Sequence, residues 1–446
     1  MSETLKSIGL DVGTTSTQLV LSALTIENRA SSYSVPDMDI TRREVLYKSP
    51  VYLTPQLSAN LVDGKKLRQI VEREYRSAGI QRSEVDTGAV IITGETSRKE
   101  NARTVLETLS DFAGDFVVAT AGPDLESVLA AKGAGAVDFS AETGKTVLHM
   151  DIGGGTSNLA LIREGKIVKT GCLNVGGRLV RYDDTGIITY ISPVLAGLTD
   201  VQIGDAATEE KLYPVAQFLA SALETAAGRN SRPVPESLFT EESEERWQPP
   251  EEVVTVSFSG GVADCIETNQ NWRSFGDLGV LLGRAVRDSS LCTMDYRLGR
   301  ETIRATVIGA GCHSAQLSGS TVYYQNVQLP LKNLPVVHIA CPEEAEAAVR
   351  RQEGQTVLAW SGIPSPTYGQ IREAAKRIAA GTKGPLLLCL EADMAKALGQ
   401  ALALQLSKDA EILCIDRVRL PEGSFLDIGT PAGGALPVVV KTLVLR

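Results

Sequence analysis

The sequence predicts an α/β protein with two related lobes and a C-terminal α/β unit. Strand and helix patterns alternate along the chain, which is typical of layered α/β domains. An Asp-x-Gly turn between two predicted strands occurs twice, at Asp11 and again at Asp151. The length of 446 residues is enough for about two to four units of ordinary size. We therefore expect a first lobe over 1–140, a second over 141–335 and the C-terminal unit over 336–446.

The first lobe begins with two strands joined by a turn. Apolar residues over 7–12 and 18–24 predict the strands, and the glycine and hydroxyl residues between them predict a tight turn. Helical spacing of apolar residues over 67–78 predicts a helix that Gly79 ends. The other predicted elements are strands over 89–93 and 115–120 and helices over 102–112 and 123–133.

The second lobe repeats this opening pattern. Glycine-rich turns are expected after two later strands, at 259–261 and at 309–311. The segment 229–252 carries prolines and many glutamates, so we expect a solvated loop or insert there. A helix is predicted over 212–226, and strands over 146–151, 158–163, 166–172 and 253–258.

The C-terminal unit shows the same alternation. Helical patterns separate its strands, so it is either a further α/β unit or an elaboration of the second lobe. Its strands are predicted over 356–360, 385–390, 411–415 and 438–445.

The composition is that of a globular protein and argues against several broad classes. Hydrophobic residues make up 43% and charged residues 22% of the chain, unlike a disordered or fibrous protein. Lysine and arginine total 44 against 54 acidic residues, and the net charge of -10 argues against general binding to nucleic acid or anionic lipid. No apolar run approaches the ~18 residues of a membrane-spanning helix, and the N-terminus does not resemble a signal peptide. We therefore expect a cytoplasmic protein that does not bind membranes.

Few side chains are available for acid-base or metal chemistry. The seven cysteines lie far apart with no CxxC pair, so we expect buried, reduced thiols. The three histidines, His149, His313 and His338, are separate in the sequence, which argues against a histidine-built zinc site and a Ser-His-Asp triad. The chemistry should depend on carboxylates, glycines and hydroxyls.

The repeated Asp-x-Gly turns are the strongest functional signal. Backbone N–H groups in a turn without bulky side chains approach phosphate oxygens closely, and hydroxyls add donors. An aspartate at the end of the strand is suited to hold Mg²⁺ or its water. A tight hairpin that needs glycine would explain one such turn, but the recurrence favours a pair of loops that clamp ATP. The two runs are Asp11-Val12-Gly13-Thr14-Thr15-Ser16 and Asp151-Ile152-Gly153-Gly154-Gly155-Thr156-Ser157.

Two other nucleotide motifs are absent or incomplete. Residues 142–146 resemble the end of a Walker A loop, but Phe139 stands where its first glycine belongs, and Lys145 precedes a strand instead of a helix. No GxGxxG follows a predicted strand, which argues against a dinucleotide-binding oxidoreductase.

Residues 5–315 resemble the actin-like ATPase superfamily, which includes actin, Hsp70 chaperones and sugar kinases and has duplicated ribonuclease H-like domains. The resemblance implies that the two turns are phosphate loops, with Asp11 and Asp151 as catalytic and metal-binding residues. It implies an adenosine loop over 259–264 and small-residue connecting helices at 130–135 and 309–311. Asp124 lies in a segment similar to the one in which Hsp70-like members carry their catalytic carboxylate, and Glu126 is its neighbour there. The implied nucleotide-binding residues are Gly13, Thr14, Thr15, Gly153, Gly154, Gly155, Thr156, Ser259, Gly260 and Gly261.

Four sequence strings give a more specific resemblance that spans nearly the whole chain. They are similar to the family of ethanolamine ammonia-lyase reactivating factors. That family implies a chaperone-like exchange of damaged cobalamin on an adenosylcobalamin lyase, driven by a weak Mg²⁺-dependent ATPase, and association with the ethanolamine bacterial microcompartment. The strings lie at 8–15, 92–101, 174–178 and 437–444.

Two alternatives use the same ATP cleft. A small-molecule kinase would need a substrate pocket with a general base between the lobes, and no segment provides a convincing one. A filament-forming structural ATPase would assemble with ATP. The sequence leaves the oligomeric state open.

Overall fold

The structure is a computed structural model of the chain. The described residues form three larger sheets and two two-stranded ones. The described residues are 3–13, 16–28, 38–58, 61–92, 109, 117–120, 122–240, 246–313, 315–317, 322–350, 355–381, 384–420, 424–431 and 436–442.

The first sheet contains a three-stranded antiparallel meander extended by two parallel strands. Its strands have the order β3-β2-β1-β7-β8, with β4 paired to β2, while β5 and β6 form a separate pair. The helix α1, Gly64–Ser77, begins at Asp63, whose carboxylate accepts from the backbone N–H of Lys66, as expected of an N-cap. The strands are β1 Glu3–Val12, β2 Ser16–Asn28, β3 Met38–Lys48, β4 Tyr52–Leu53, β5 Gln56–Ser58, β6 Leu61–Val62, β7 Thr87–Ile92 and β8 Val117–Thr120.

The second sheet has the same topology. Its order is β11-β10-β9-β14-β15, again an antiparallel meander joined to two parallel strands. A hairpin of β12 and β13 lies outside it. The equal strand orders confirm the predicted duplication and the actin-like fold class. The strands are β9 Val147–Ile152, β10 Ser157–Arg163, β11 Lys166–Leu173, β12 Val180–Tyr182, β13 Ile188–Ile191, β14 Thr255–Ser259 and β15 Asp295–Leu298.

Two helices cross between these sheets. The helix α2 follows the first sheet but packs against β10 and β11, whereas α6 follows the second sheet and packs against β1 and β2. Their crossing is lined by Ala130, Ala134 and Ala305. The helices up to this point are α2 Pro123–Gly133, α3 Ala136–Thr143, α4 Glu209–Ala226, α5 Gly279–Arg287 and α6 Ala305–His313.

Glycine lets the crossing helices approach to backbone contact. A Cβ at Gly133 would overlap the carbonyl oxygen of Ala305, and one at Gly309 would overlap that of Leu129. The prediction of a glycine turn after a strand at 309–311 is therefore wrong, because these residues lie within α6. The connecting helix implied by the family resemblance is what the structure has there.

The third sheet combines four parallel strands with antiparallel ones. Its order is β16-β23-β22-β18-β19-β20-β21-β17, in which β18 to β21 are parallel and are connected by α7, α8 and α9. The strands are β16 Ala315–Leu317, β17 Tyr323–Gln325, β18 Leu331–His338, β19 Val357–Trp360, β20 Leu386–Leu390, β21 Ile412–Asp416, β22 Ser424–Ile428 and β23 Pro437–Thr442, and the helices are α7 Ala345–Arg350, α8 Tyr368–Gly381 and α9 Ala395–Ala403.

Part of the predicted solvated segment 229–252 belongs to the core. Leu238 is fully buried and Trp247 is 3% exposed, both within the cluster under the second sheet. The Trp247 indole N–H donates to the carbonyl oxygen of Ala226 at 2.9 Å. The prolines on either side of these two anchors and the glutamates between them hid the burial in the sequence. The predicted helix at 102–112 lies outside the described residues, apart from Leu109.

The helix crossing gives a first prediction about stability. Gly309→Ala should destabilise the protein by about 1–3 kcal/mol, because the methyl group meets a backbone carbonyl that has no alternative position. Urea unfolding monitored by circular dichroism measures the change. Gly369→Ala is the matched control, since nothing lies within 4 Å of its added Cβ in α8, and there alanine should be neutral or slightly stabilising. Equal unfolding midpoints for the two variants would contradict the close crossing.

Candidate nucleotide site

The two Asp-x-Gly runs form the same hairpin turn. The Gly13 N–H donates to the carbonyl oxygen of Ser16 at 2.9 Å, and the Gly153 N–H donates to that of Thr156 at 2.9 Å. In both hairpins the aspartate lies opposite an amide residue, Gln18 for Asp11 and Asn158 for Asp151. The structure thus places Asp11 and Asp151 at equivalent positions. Thr14 and Thr15 lie outside the described residues.

The second turn presents an open backbone. Gly155 is exposed, and nothing lies within 4 Å of the position that its Cβ would occupy. The segment 174–178 forms two backbone hydrogen bonds to this turn. The Gly177 N–H donates to Gly153 O at 3.0 Å, and the Arg178 N–H donates to Gly154 O at 2.6 Å. These bonds keep the turn rigid without covering its tip. A rigid, bare turn suits the backbone recognition of phosphate.

A cation lies beside this turn that the sequence motifs did not identify. The methylene groups of Arg178 pass next to Gly154, and the Arg178 Nε lies 3.3 Å from Oδ2 of the buried Asp277. Asp277 also accepts from the Gly279 N–H at 2.8 Å, at the start of α5. Burial raises the pKa of Asp277, while the Gly279 N–H and Arg178 oppose the rise. This ion pair orients a guanidinium at the edge of a predicted anion site.

The first turn is anchored by hydroxyl groups. Thr54 donates its hydroxyl proton to the carbonyl oxygen of Gly13 at 2.7 Å and lies 3.1 Å from the Thr17 hydroxyl. The Gln18 side-chain amide donates to the carbonyl oxygen of Ile303, two residues before α6. The strand β2, which follows the first turn, therefore contacts the segment that enters α6.

Burial strongly perturbs Asp151, one of the predicted site residues. It is 8% exposed, and its Oδ1 accepts a hydrogen bond from the Ser259 hydroxyl. Burial raises the pKa of Asp151 to about 6, although hydrogen bonds from Ser259 and Thr306 oppose this rise. Its ionised form lacks solvent, so a bound cation would stabilise it strongly. Asp11 is partly exposed.

The Ser259 side chain does not line the outer surface of the predicted adenosine loop. It is fully buried, with its hydroxyl bonded to Asp151. Gly260 has φ of +88° and packs against the backbone of Ile152, and the Val262 N–H donates to Ile152 O at 3.1 Å. The loop over 259–261 is thus joined to the strand that carries Asp151.

His149 is a further buried group beside Asp151. Its Nδ1 lies 3.1 Å from the Ser257 hydroxyl and its Nε2 lies 2.9 Å from the Ser259 hydroxyl. Burial lowers the pKa of His149 to about 3. The sequence carried a signal for this group, because His149 and Asp151 alternate on one strand and Ser257 and Ser259 alternate on another. Only the pairing of β9 with β14 brings the two sets together.

Asp124 and Glu126 on α2 have different hydrogen-bond partners. Asp124 Oδ1 accepts from the Thr170 hydroxyl at 2.6 Å, which holds it against β11. Glu126 is 7% exposed, and its Oε2 accepts from the Asn158 side-chain amide at 3.0 Å. Asn158 is the residue opposite Asp151, so Glu126 is connected to the second turn and Asp124 to the neighbouring strand.

The donor set suits Mg²⁺ better than a metal caged by the protein. Among the described residues, no group of three or more His, Cys, Asp or Glu side chains is arranged to hold a metal ion. Mg²⁺ is commonly held by one or two carboxylates together with nucleotide phosphates, and the buried Asp151 fits that pattern.

Within the part of the chain that the structure describes, no helix combines the length and hydropathy needed to cross a membrane.

Sequence comparison places the chain among known proteins. A family model described as ethanolamine utilisation protein EutA matches residues 3–446. The chain belongs to the EutA family. Two curated relatives of this EutA-family chain are both named ethanolamine ammonia-lyase reactivase EutA. The one from Salmonella typhimurium (strain LT2) is 37% identical over 468 residues, and the one from Escherichia coli (strain K12) is 36% identical over 465, with 98% of each chain covered in both cases.

Structural similarity to solved proteins is more distant. The ethanolamine utilization protein EutJ from Carboxydothermus hydrogenoformans matches 69% of this EutA-family chain and 89% of its own, with 19% identity and a TM-score of 0.34.

The environment of Asp151 predicts a pH-dependent effect of its replacement. Because burial raises its pKa from 3.8 to about 6, the wild-type protein loses stability relative to Asp151→Asn as pH rises through about 6. Without nucleotide or Mg²⁺, the variant should be more stable by about 2–3 kcal/mol at pH 8, and the difference should vanish below about pH 4. Urea unfolding in EDTA at several pH values measures it.

Asp200→Asn provides the control, since Asp200 is exposed. Its stability difference from wild type should show no comparable pH dependence. A less stable Asp151→Asn variant at pH 8 would contradict the electrostatic assignment.

Proposed function

We propose that this chain is an ATP-dependent reactivating factor for ethanolamine ammonia-lyase. It would exchange damaged cobalamin on the lyase for intact coenzyme. The observation that carries the proposal is full-length similarity to two proteins named ethanolamine ammonia-lyase reactivase. The paired Asp-x-Gly turns support the ATP requirement, and membership of an ethanolamine utilisation family supports action in the cytoplasm with the ethanolamine microcompartment.

In this proposal the two turns bind the phosphates of ATP from opposite lobes. The open backbone at Gly154 and Gly155 donates N–H groups to phosphate oxygens, and the equivalent positions of the first turn, Thr14 and Thr15, do so from the other side. Asp11 and Asp151 hold Mg²⁺ and orient the attacking water. Bound Mg²⁺ supplies neutralisation of the charge that develops on the phosphates. Fixed backbone dipoles stabilise the same charge without reorganisation.

Within the same proposal, Glu126, and not Asp124, is the carboxylate on α2 that orients the attacking water. Glu126 reaches Asn158, opposite Asp151, whereas Asp124 is bonded to Thr170. A carboxylate connected to the phosphate turn is better placed to orient water than one held on a neighbouring strand. Glu126→Gln should therefore slow ATP hydrolysis more than Asp124→Asn.

Because the space at Gly155 is open, a larger side chain there should weaken nucleotide binding without affecting folding. Gly155→Val should fold with normal stability, because its side chain enters unoccupied space. It should weaken ATP binding by at least about tenfold, since the side chain occupies the approach of the phosphates. Isothermal titration calorimetry with Mg-ATP, beside thermal unfolding, measures both.

Gly197→Val is a control for a glycine replacement away from the turn: it also meets nothing within 4 Å, although its φ of +71° makes some loss of stability expected. It should bind ATP like wild type. Normal ATP affinity in folded Gly155→Val would remove the turn from the site.

Reactivation of the lyase is the decisive functional measurement. Ethanolamine ammonia-lyase blocked with a cobalamin that lacks the adenosyl group should regain turnover when this protein, Mg-ATP and fresh adenosylcobalamin are added together. Asp11→Asn and Asp151→Asn should each lower ATP hydrolysis at least about tenfold, because each removes a charge contact at the metal site. Neither variant should restore the lyase efficiently.

Omission of ATP and of adenosylcobalamin provides the controls. Failure to bind or restore the lyase, together with ATP-dependent phosphorylation of a small metabolite, would contradict the proposal and support a kinase of the same fold.

A further inference from the structure

A chain of buried polar side chains runs through the second sheet to Asp151. His149 and Asp151 lie on β9, while Ser257 and Ser259 are their respective partners in register on the parallel strand β14. His149 and Ser259 are fully buried, and Ser257 is 1% exposed. All four side chains lie on one side of the two strands, because the residues alternate along each of them.

The hydrogen bonds of this chain have one consistent direction. The Ser259 hydroxyl has a single proton, which it donates to Asp151 Oδ1. At the 2.9 Å contact between His149 Nε2 and the same hydroxyl, the serine oxygen must accept, so Nε2 carries the proton. The Nδ1 of a neutral imidazole is then the acceptor for the Ser257 hydroxyl at 3.1 Å. Protons are donated from Ser257 to His149, from His149 to Ser259, and from Ser259 to Asp151.

We propose that His149 and Ser259 are positioning residues for Asp151, and that this directed chain holds the carboxylate in the orientation needed for ATP hydrolysis. The proposal rests on the proposed nucleotide function and adds to it a set of core residues that do not contact the nucleotide.

The asymmetry between the two halves supports a specific role for the chain. Asp11 has the same turn as Asp151, but its partner on the parallel strand is Ile91, and Gly9 stands at the position equivalent to His149. The first lobe therefore forms the same turn without a row of hydrogen-bonded polar side chains behind it. Burying an imidazole and two hydroxyls costs free energy unless all their hydrogen bonds are made, and here these bonds end on the carboxylate of the predicted site.

The tautomer of His149 tests the direction of the chain without nucleotide. Long-range ¹H–¹⁵N correlation spectra of ¹⁵N-histidine-labelled protein distinguish the two neutral tautomers, and the signal missing in His149→Gln assigns the ring. We expect the Nε2–H form. An Nδ1–H form would overturn the proposal, because Nε2 would then take the proton that Ser259 donates to Asp151.

Steady-state kinetics test the positioning role. Ser259→Ala should lower kcat for ATP hydrolysis about ten- to a hundredfold, because misplacement of a catalytic group by a fraction of an ångström has effects of this size. The KM for ATP should change less than about threefold, since the lost interaction aligns the reaction more than it binds substrate.

Ser140→Ala is the matched control. Ser140 is also a fully buried serine, on the helix α3 that packs against the second sheet, and it donates to the carbonyl oxygen of Lys145 at 2.8 Å, away from Asp151. It should lower thermal stability while leaving kcat unchanged. Equal kcat values for Ser259→Ala and wild type, or equal losses for Ser259→Ala and Ser140→Ala, would overturn the positioning role. If wild-type protein neither binds nor hydrolyses ATP, the proposed function fails, and the tautomer alone decides whether the chain is directed toward Asp151.

Discussion

The close crossing of α2 and α6 is the constraint on which the rest of the architecture depends. Each helix leaves one sheet and packs on the other, so the relative position of the two sheets is set where the helices touch. Backbone contact at Gly133 and Gly309 leaves no room for side chains there. The same helices carry Glu126 and Thr306 toward the second turn. A movement of the crossing would therefore move groups at the candidate site directly, since packed interfaces do not deform continuously.

The duplicated turns show how one backbone motif acquires two electrostatic environments. The turn hydrogen bonds of Gly13 and Gly153 have equal lengths, yet Asp151 is buried beside Ser259 and Asp11 is partly exposed beside Ile91. The parallel neighbour strand causes this difference, because its register decides which side chain faces each aspartate. In the proposed function, the hydrogen bonds that run from Ser257 through His149 and Ser259 support the metal-binding carboxylate of the second turn.

The candidate site has few side chains and a rigid backbone. The segment 174–178 supports the second turn through main-chain bonds, and Arg178 is the nearby cation, paired with Asp277. Such a site matches phosphoryl chemistry, in which positioning and charge stabilisation matter more than covalent catalysis. The third sheet and the anchored segment around Trp247 enlarge the fold beyond these loops.

Local sequence determined much of the fold and the identity of the turns. The helix Pro123–Gly133 matches its predicted bounds, and the strand before Asp151 differs from prediction by one residue at each end, because apolar periodicity and glycine are local signals. The C-terminal strands over 357–360, 386–390 and 412–416 agree with prediction to within one residue for the same reason. The helical state of Gly309 could not be read from its small neighbours, since it depends on α2 lying across it. The burial of Trp247 could not be predicted from its neighbours in sequence, because it comes from packing against a distant sheet. Only tertiary structure joined His149 to Asp151 through Ser259 and connected Glu126 to Asn158, because strand register and helix crossing bring together residues that the sequence keeps apart.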